Sequence, residues 1–221
     1  MRSILTPMLA AAVVFCGGAG PAWSDVSFGV SGDEGGIRQF YLAIGDFYNV
    51  PEREVVVVKE KHFQDEELPV VFFLAQRARV SPNIIIDLRL GGKSWMDITY
   101  YYGLGAEIFY VPTRTIGGPP YGRAIGYYKK RRRREWRYIK LRDDDVVNLV
   151  NLKFISTHYG YSADDVIKMR SEGKNFIDIN KQVKEHKSGK KQISAKKKES
   201  ARNDKDSRKP EASKAKPGKK K

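Results

Sequence analysis

Residues 81–98 read S-P-N-I-I-I-D-L-R-L-G-G-K-S-W-M-D-I, and residues 162–179 read S-A-D-D-V-I-K-M-R-S-E-G-K-N-F-I-D-I. Ser81, Ile86, Arg89, Gly92, Lys93, Asp97 and Ile98 meet Ser162, Ile167, Arg170, Gly173, Lys174, Asp178 and Ile179 without a gap. Self-similarity at a fixed offset marks a duplicated supersecondary unit, one that cannot bury its apolar face until it stacks on a neighbour. The expected fold is mainly α: duplicated short helix-turn-helix units, an irregular or hairpin-like insertion between them, and a disordered basic C-terminal tail.

Each copy carries its own start and stop signals. Ser81 before Pro82 is an N-cap followed by proline at the first helical position, where the missing N–H costs nothing. Ser162 with Asp165 approximates a capping box. Gly92 and Gly173 offer the left-handed conformation that ends a helix. Ser94 with Asp97, and Asn175 with Asp178, then open a second helix and set a carboxylate over its positive end. Trp95, Ile98 and Tyr102, like Phe176, Ile179 and Val183, lie on one helix face and are expected in the core. Upstream, Val71, Leu74, Ala75 and Ala78 match Leu152, Ile155, Ser156 and Tyr159. The predicted helices are 68–79, 82–90 and 94–103, then 146–158, 163–171 and 175–186. A weaker copy precedes them, with Leu42-Ala43 matching Leu74-Ala75. In it, the β-branched run Val55 to Val58 favours a strand, while the flanking charges and the alignment favour a helix over 52–61.

The organisation that follows is a signal peptide at 1–24, a flexible segment at 25–36 and helical repeats at 37–103, comprising the weak copy and the copy at 68–103. An insertion at 104–142, the second clear copy at 143–186 and a disordered Lys-rich tail at 187–221 complete it. The signal has Arg2, a short apolar core from Met8 to Cys16, and small residues Ala22 and Ser24 before Asp25. Its core is too short to span a bilayer. A lipoprotein reading of Cys16 meets Val14 and Phe15 where small residues are wanted. The expectation is an exported protein, periplasmic or extracellular. Cys16 is the only cysteine, so the processed chain would have no disulfide, thiolate nucleophile or Cys-ligated metal.

Of the net charge of +15, residues 181–221 hold 17 Lys and Arg against 5 Asp and Glu, or +12. Arg2 holds one more, which leaves about +2 for 25–180. A tail of Lys, Ser, Ala, Pro and Gly with one Ile193 cannot bury enough to order itself. The insertion carries Thr115 to Gly122 (T-I-G-G-P-P-Y-G), which cannot continue a helix. Beyond it come Tyr127 and Tyr128, the run Lys129, Lys130, Arg131, Arg132, Arg133 and Arg134, then Trp136 and Tyr138. Alternation at Trp136, Tyr138, Lys140 and Arg142 hints at a short strand. An insertion of this length in a small domain is often functional.

Catalytic chemistry finds little support. His158, at a helix C-terminus, reads as a capping cation. Asp143-Asp144-Asp145 reads as the acidic start of a helix, since no hard-cation ligand set completes it. Asp97 and Asp178 have a structural reason to be where they are. The would-be recognition helix of a DNA reader, S-W-M-D-I-T-Y-Y-Y-G, has no Arg or Lys to meet phosphate or guanine. No cofactor or metal is expected.

The basic segments remain as candidate anion contacts: Lys129 to Arg134, Lys190, Lys191, Lys196, Lys197, Lys198, Lys219, Lys220 and Lys221. Tyr127, Tyr128, Trp136 and Tyr138 are candidate aromatic contacts. Such a set holds phosphates electrostatically while rings stack on bases or sugars. Outside the cytoplasm the commoner anions are lipid headgroups, acidic polysaccharide and cell-wall polymers.

The pattern L-R-x-x-G-K-x-aromatic-x-D-I, here Leu88 to Ile98 with its counterpart Met169 to Ile179, resembles a group of exported bacterial helical proteins with no known activity. The likeness covers about 37–186 and implies an envelope location and a helical fold. The reading that follows is a non-enzymatic exported envelope protein, a helical interaction domain tethered by polybasic segments to an anionic surface or polymer. One alternative is a carboxylate-dependent cell-wall or polysaccharide enzyme using Asp97, Glu107, Asp143 or Asp178. Another is a nucleic-acid-binding protein acting through the tail.

Overall fold

A computed structural model describes residues 34–114 and 118–189. The signal at 1–24, the start of the segment at 25–36, and Lys190, Lys191, Lys196 to Lys198 and Lys219 to Lys221 lie outside the described residues. The fold is mainly helical, with no strand among the described residues. In chain order the helices are α1 (Glu34–Tyr48), α2 (Glu52–Lys59), α3 (Leu68–Ala78), α4 (Pro82–Leu90), α5 (Trp95–Tyr101), α6 (Gly122–Lys130), α7 (Asp143–Tyr159), α8 (Ala163–Ser171) and α9 (176–189). Single 3-10 turns occupy Asp65–Glu67, Ala106–Phe109 and Arg133–Tyr138.

The centre is built on α3 and α7, which pack on each other. Leu68 to Ala75 are all buried, so α3 is apolar on every side, as a helix enclosed by others must be. α7 buries Val146, Leu149, Val150, Leu152, Phe154 and Ile155. α1 closes over both through rings: Phe40 and Phe47 lie 5.9 and 5.3 Å from Phe154, and Tyr48 stacks on Phe72 at 6.0 Å. Aromatic pairs at these separations add to the area they bury. The segment at 52–61 is helical, as α2, and buries Val55 and Val58 on one side.

The caps follow the sequence in most places. Ser94 accepts from the Asp97 N–H, and Asp97 accepts in return from the Ser94 N–H. Asn175 accepts from the Asp178 N–H at 2.8 Å. Gly92 and Gly173 have φ of +86° and +91°, a region where any side chain is strained. Ser162 differs, since its side chain makes no cap hydrogen bond. Asp164, the acid before the expected box partner Asp165, takes the N–H of Arg114 from the insertion.

Around the two glycines, matched residues make matched contacts. Arg89 donates to the Lys93 carbonyl and lies 4.5 Å from the Trp95 ring. Arg170 donates to the Lys174 carbonyl and lies 4.9 Å from the Phe176 ring. Each arginine also takes a carboxylate that caps the first N–H of the helix after it. Asp143, at the start of α7, bonds Arg89 at 2.6 Å and the Trp95 N–H at 2.8 Å. Glu66, just before α3, pairs with Arg170 at 3.6 Å and accepts from the Phe176 N–H at 2.9 Å. The acid that caps the last helix of each segment therefore comes from the start of the other segment's long helix.

The insertion corrects the hairpin expectation. Residues 122–130 form a helix, and 133–138, where alternation hinted at a strand, form 3-10 turns. A strand needs a neighbour for its backbone groups; here local turns satisfy them. Trp136 and Tyr138 differ in burial rather than sharing a face, Trp136 being half-buried and Tyr138 68 % exposed. Gly105 lets the two 3-10 turns meet, because a Cβ there would lie 2.7 Å from the Arg137 Cα.

Candidate functional site

The end of α6 and the turn after it display the basic run. Lys129, Lys130 and Arg131 to Arg134 are all exposed, and among the described residues only Arg134 has a carboxylate partner, Glu135 at 4.0 Å. The run is held from beneath. The Trp136 indole N–H donates to the carbonyls of Tyr128 and Arg131 at 3.0 and 3.1 Å, covering acceptors that a helix C-terminus leaves open. Tyr110 packs against Trp136 at 4.4 Å and against Tyr128 at 5.4 Å. Arg131 and Arg133 rest over Tyr127 and Trp136 at 5.9 and 5.6 Å. The cations thus stand on a packed aromatic base.

That base reassigns some of the aromatics. Tyr128 is 2 % exposed and donates its hydroxyl to the Ala106 carbonyl at 2.6 Å, so it is a core residue with no face for a ligand. Burial raises its pKa, with the Glu107 charge adding to the effect. Trp136 is half-buried in its clamp and Tyr127 lies beneath Arg131. Tyr138 stays open, with Arg137 at 5.7 Å from its ring. Two exposed rings missed by the sequence reading lie on α5: Tyr100 donates to the Ile139 carbonyl at 3.1 Å, and Tyr101 is 65 % exposed with Lys93 nearby. Their signal was the unbroken Tyr100 to Tyr102 run, too aromatic for a single buried stripe.

The candidate carboxylates are mostly occupied at helix starts. Hydrogen bonds from Ser94 hold the Asp97 carboxyl below the usual carboxylate range. Asp143 serves Arg89 and Trp95, while Asp144 and the buried Asp145 pair with Arg123 at 3.4 and 2.6 Å. Asp178 is half-buried in the first turn of α9, and Glu107 is exposed on a 3-10 turn. Among the described residues no three His, Cys, Asp or Glu side chains gather as a metal ligand set. His158 is half-buried against Phe47, Phe154 and Tyr159, and burial lowers its pKa, so the neutral ring is favoured over the capping cation expected.

No carboxylate lines either of two surface cavities among the described residues. One, of about 240 Å³, is largely apolar and bounded by Val50, Phe72, Val80 and Pro82. The other, of about 380 Å³, lies among α1, α3 and α7 and contains two cations, Arg77 and Lys153. Lys153 donates to the Ile108 carbonyl at 2.8 Å. Burial, reinforced by Arg77, pushes its pKa down from the usual 10.5 to about 8.

That shift has a sign. Between about 8 and 10.5 the unfolded chain binds the proton that the folded chain has lost, so stability should rise with pH across that window. Below it both states are protonated and the folded state carries the full desolvation cost. Melting temperatures at about pH 7 and about pH 9.5, short of general tyrosine ionisation, should show wild type gaining on Lys153→Met. Parallel curves would mean that the ammonium is well solvated.

No family model, curated protein or solved structure matches the chain. No helix among the described residues is long and apolar enough to cross a membrane.

Proposed function

We propose that this chain is a non-catalytic envelope protein whose helical body and basic tail hold an anionic surface or polymer. The observation that carries the reading is the run Lys129 to Arg134, exposed, nearly free of carboxylate partners and fixed by Trp136. A cluster of like charges on a rigid base costs self-repulsion, which a polyanion relieves. Tyr138, four residues after the run, supplies an open ring. The enzyme reading gains nothing comparable, because Asp97 and Asp143 are engaged in capping and ion pairs away from both cavities.

The test is co-sedimentation with anionic vesicles and with an acidic polysaccharide, for wild type, a deletion of 187–221, and Arg131 to Arg134 replaced by Ser. Each Lys or Arg near an anionic membrane contributes on the order of 1 kcal/mol. Screening shortens the reach of each charge from about 10 Å at 0.1 M salt to about 3 Å at 1 M. Binding should therefore fade steeply with salt, and the tail deletion, which removes more cations, should weaken it more than the Ser replacement. Retention by the deletion with loss in the replacement would move the site onto the α6 ridge. Salt-insensitive binding would defeat the electrostatic reading. Strong preference for nucleic acid over both envelope anions would replace the proposed partner.

A further inference from the structure

The cavity of about 380 Å³ carries an inference independent of the basic ridge. Its volume falls near the lower end of small-molecule sites, which are mostly apolar with a few converging polar groups. Phe47 from α1 and Phe73 from α3 line it together with Tyr48, Gln76 and Thr157. Tyr48 is 4 % exposed, while Arg77 and Thr157 are exposed. Arg77 and Lys153 both approach the Phe73 ring, at 5.3 and 5.5 Å from its centroid.

The charges are unbalanced. Neither cation has an ion pair among the described residues, and no acid lines the cavity. Lys153 uses one donor on Ile108, leaving two, and Arg77 keeps a guanidinium fork that matches a carboxylate in a bidentate manner. Half-burying an ammonium beside a guanidinium is costly without an anion, and its lowered pKa reflects that cost. The aromatic walls ask for more than charge. Inorganic phosphate would neutralise the cations but make no use of the half-buried Phe47 ring.

We propose that this cavity binds a small organic carboxylate with an apolar or aromatic body, its head held by Arg77 and Lys153 and its body against Phe47 and Phe73. Thr157, which lines the same cavity, offers a hydroxyl to the polar end.

The test uses the full chain and 3-phenylpropionate as probe, followed by calorimetry and by NMR of the Phe73 and Thr157 signals. The neutral isostere 3-phenylpropanamide should bind about tenfold or more weaker, as loss of a charge-assisted contact implies. Arg77→Gln and Lys153→Met should each weaken the acid about as much, whereas Arg132→Ser, which does not line the cavity, should not. Equal binding of acid and amide would overturn the proposal, and so would unchanged binding in both cavity variants. Phosphate binding as tightly as the acid would overturn the assignment of the apolar body. Should the variants fail to fold, acylation of the wild-type chain, read by mass spectrometry, decides. Saturating acid should protect Lys153 and leave exposed Lys181 unaffected; no protection of Lys153 would overturn the site.

Discussion

Replacing Trp95 with alanine should cost the fold about 3–5 kcal/mol, and Phe176→Ala about the same, the usual range for a buried aromatic truncated to a methyl. Both side chains are fully buried. Trp95 also packs against Phe63 at 6.2 Å and lies under Arg89 at 4.5 Å, so its loss leaves a cavity and removes the surface the arginine covers. Trp95→Phe should cost far less. It puts at position 95 the residue found at 176, and it deletes an indole N–H that is buried without a partner. Leaving such a donor unpaired is itself unfavourable, which offsets part of the lost volume. Chemical denaturation of the three variants checks the order. Wild-type midpoints for both alanine variants, combined with loss of an anion ligand, would make these aromatics a binding site instead of core anchors.

Much of this architecture was legible because local signals and global packing agree. Pro82 after Ser81, the Ser94–Asp97 box and the two positive-φ glycines bound short helices whatever surrounds them. The insertion was misread for a physical reason. Tyr121, Ala124, Ile125 and Tyr128 are spaced as one face of a helix, and all four are buried. The run of cations after them drew attention to charge, and the alternation at Trp136 and Tyr138 mimicked a strand. Recognising that Trp136 points inward required knowing where α6 ends, since its indole serves carbonyls at that end. The cavity was not legible at all. Arg77 and Lys153 each look like ordinary surface cations on their own helices, and only the packing of α3 on α7 brings them to one ring.

The exchange of acids between the two segments was equally hidden, and it sets the last expectation. Glu66 and Glu67 are neighbours, yet Glu66 reaches Arg170 and the Phe176 N–H, while Glu67 reaches Arg89 at 3.1 Å. Asn151 of α7 fixes this turn by donating to the Glu66 carbonyl at 2.7 Å. The two acids are not equivalent. Arg89 keeps Asp143 if Glu67 is lost, whereas Arg170 has no other carboxylate partner among the described residues. Removing Glu66 also uncaps α9 at a partly enclosed amide. Glu66→Ala should therefore cost about 2–3 kcal/mol, the range for a lost charge-assisted hydrogen bond plus an unsatisfied donor. Glu67→Ala should cost below about 1 kcal/mol, as for a partly exposed ion pair with a substitute at hand. Asp143→Ala should resemble Glu66→Ala, because it alone caps Trp95. A double-mutant cycle places the coupling: Glu66 with Arg170 should be strongly non-additive, while Glu66 with Arg89 should be close to additive. Equal costs for Glu66 and Glu67, with additivity in both cycles, would mean that these carboxylates act only through general charge. The two segments would then be joined by apolar packing of α3 on α7 alone.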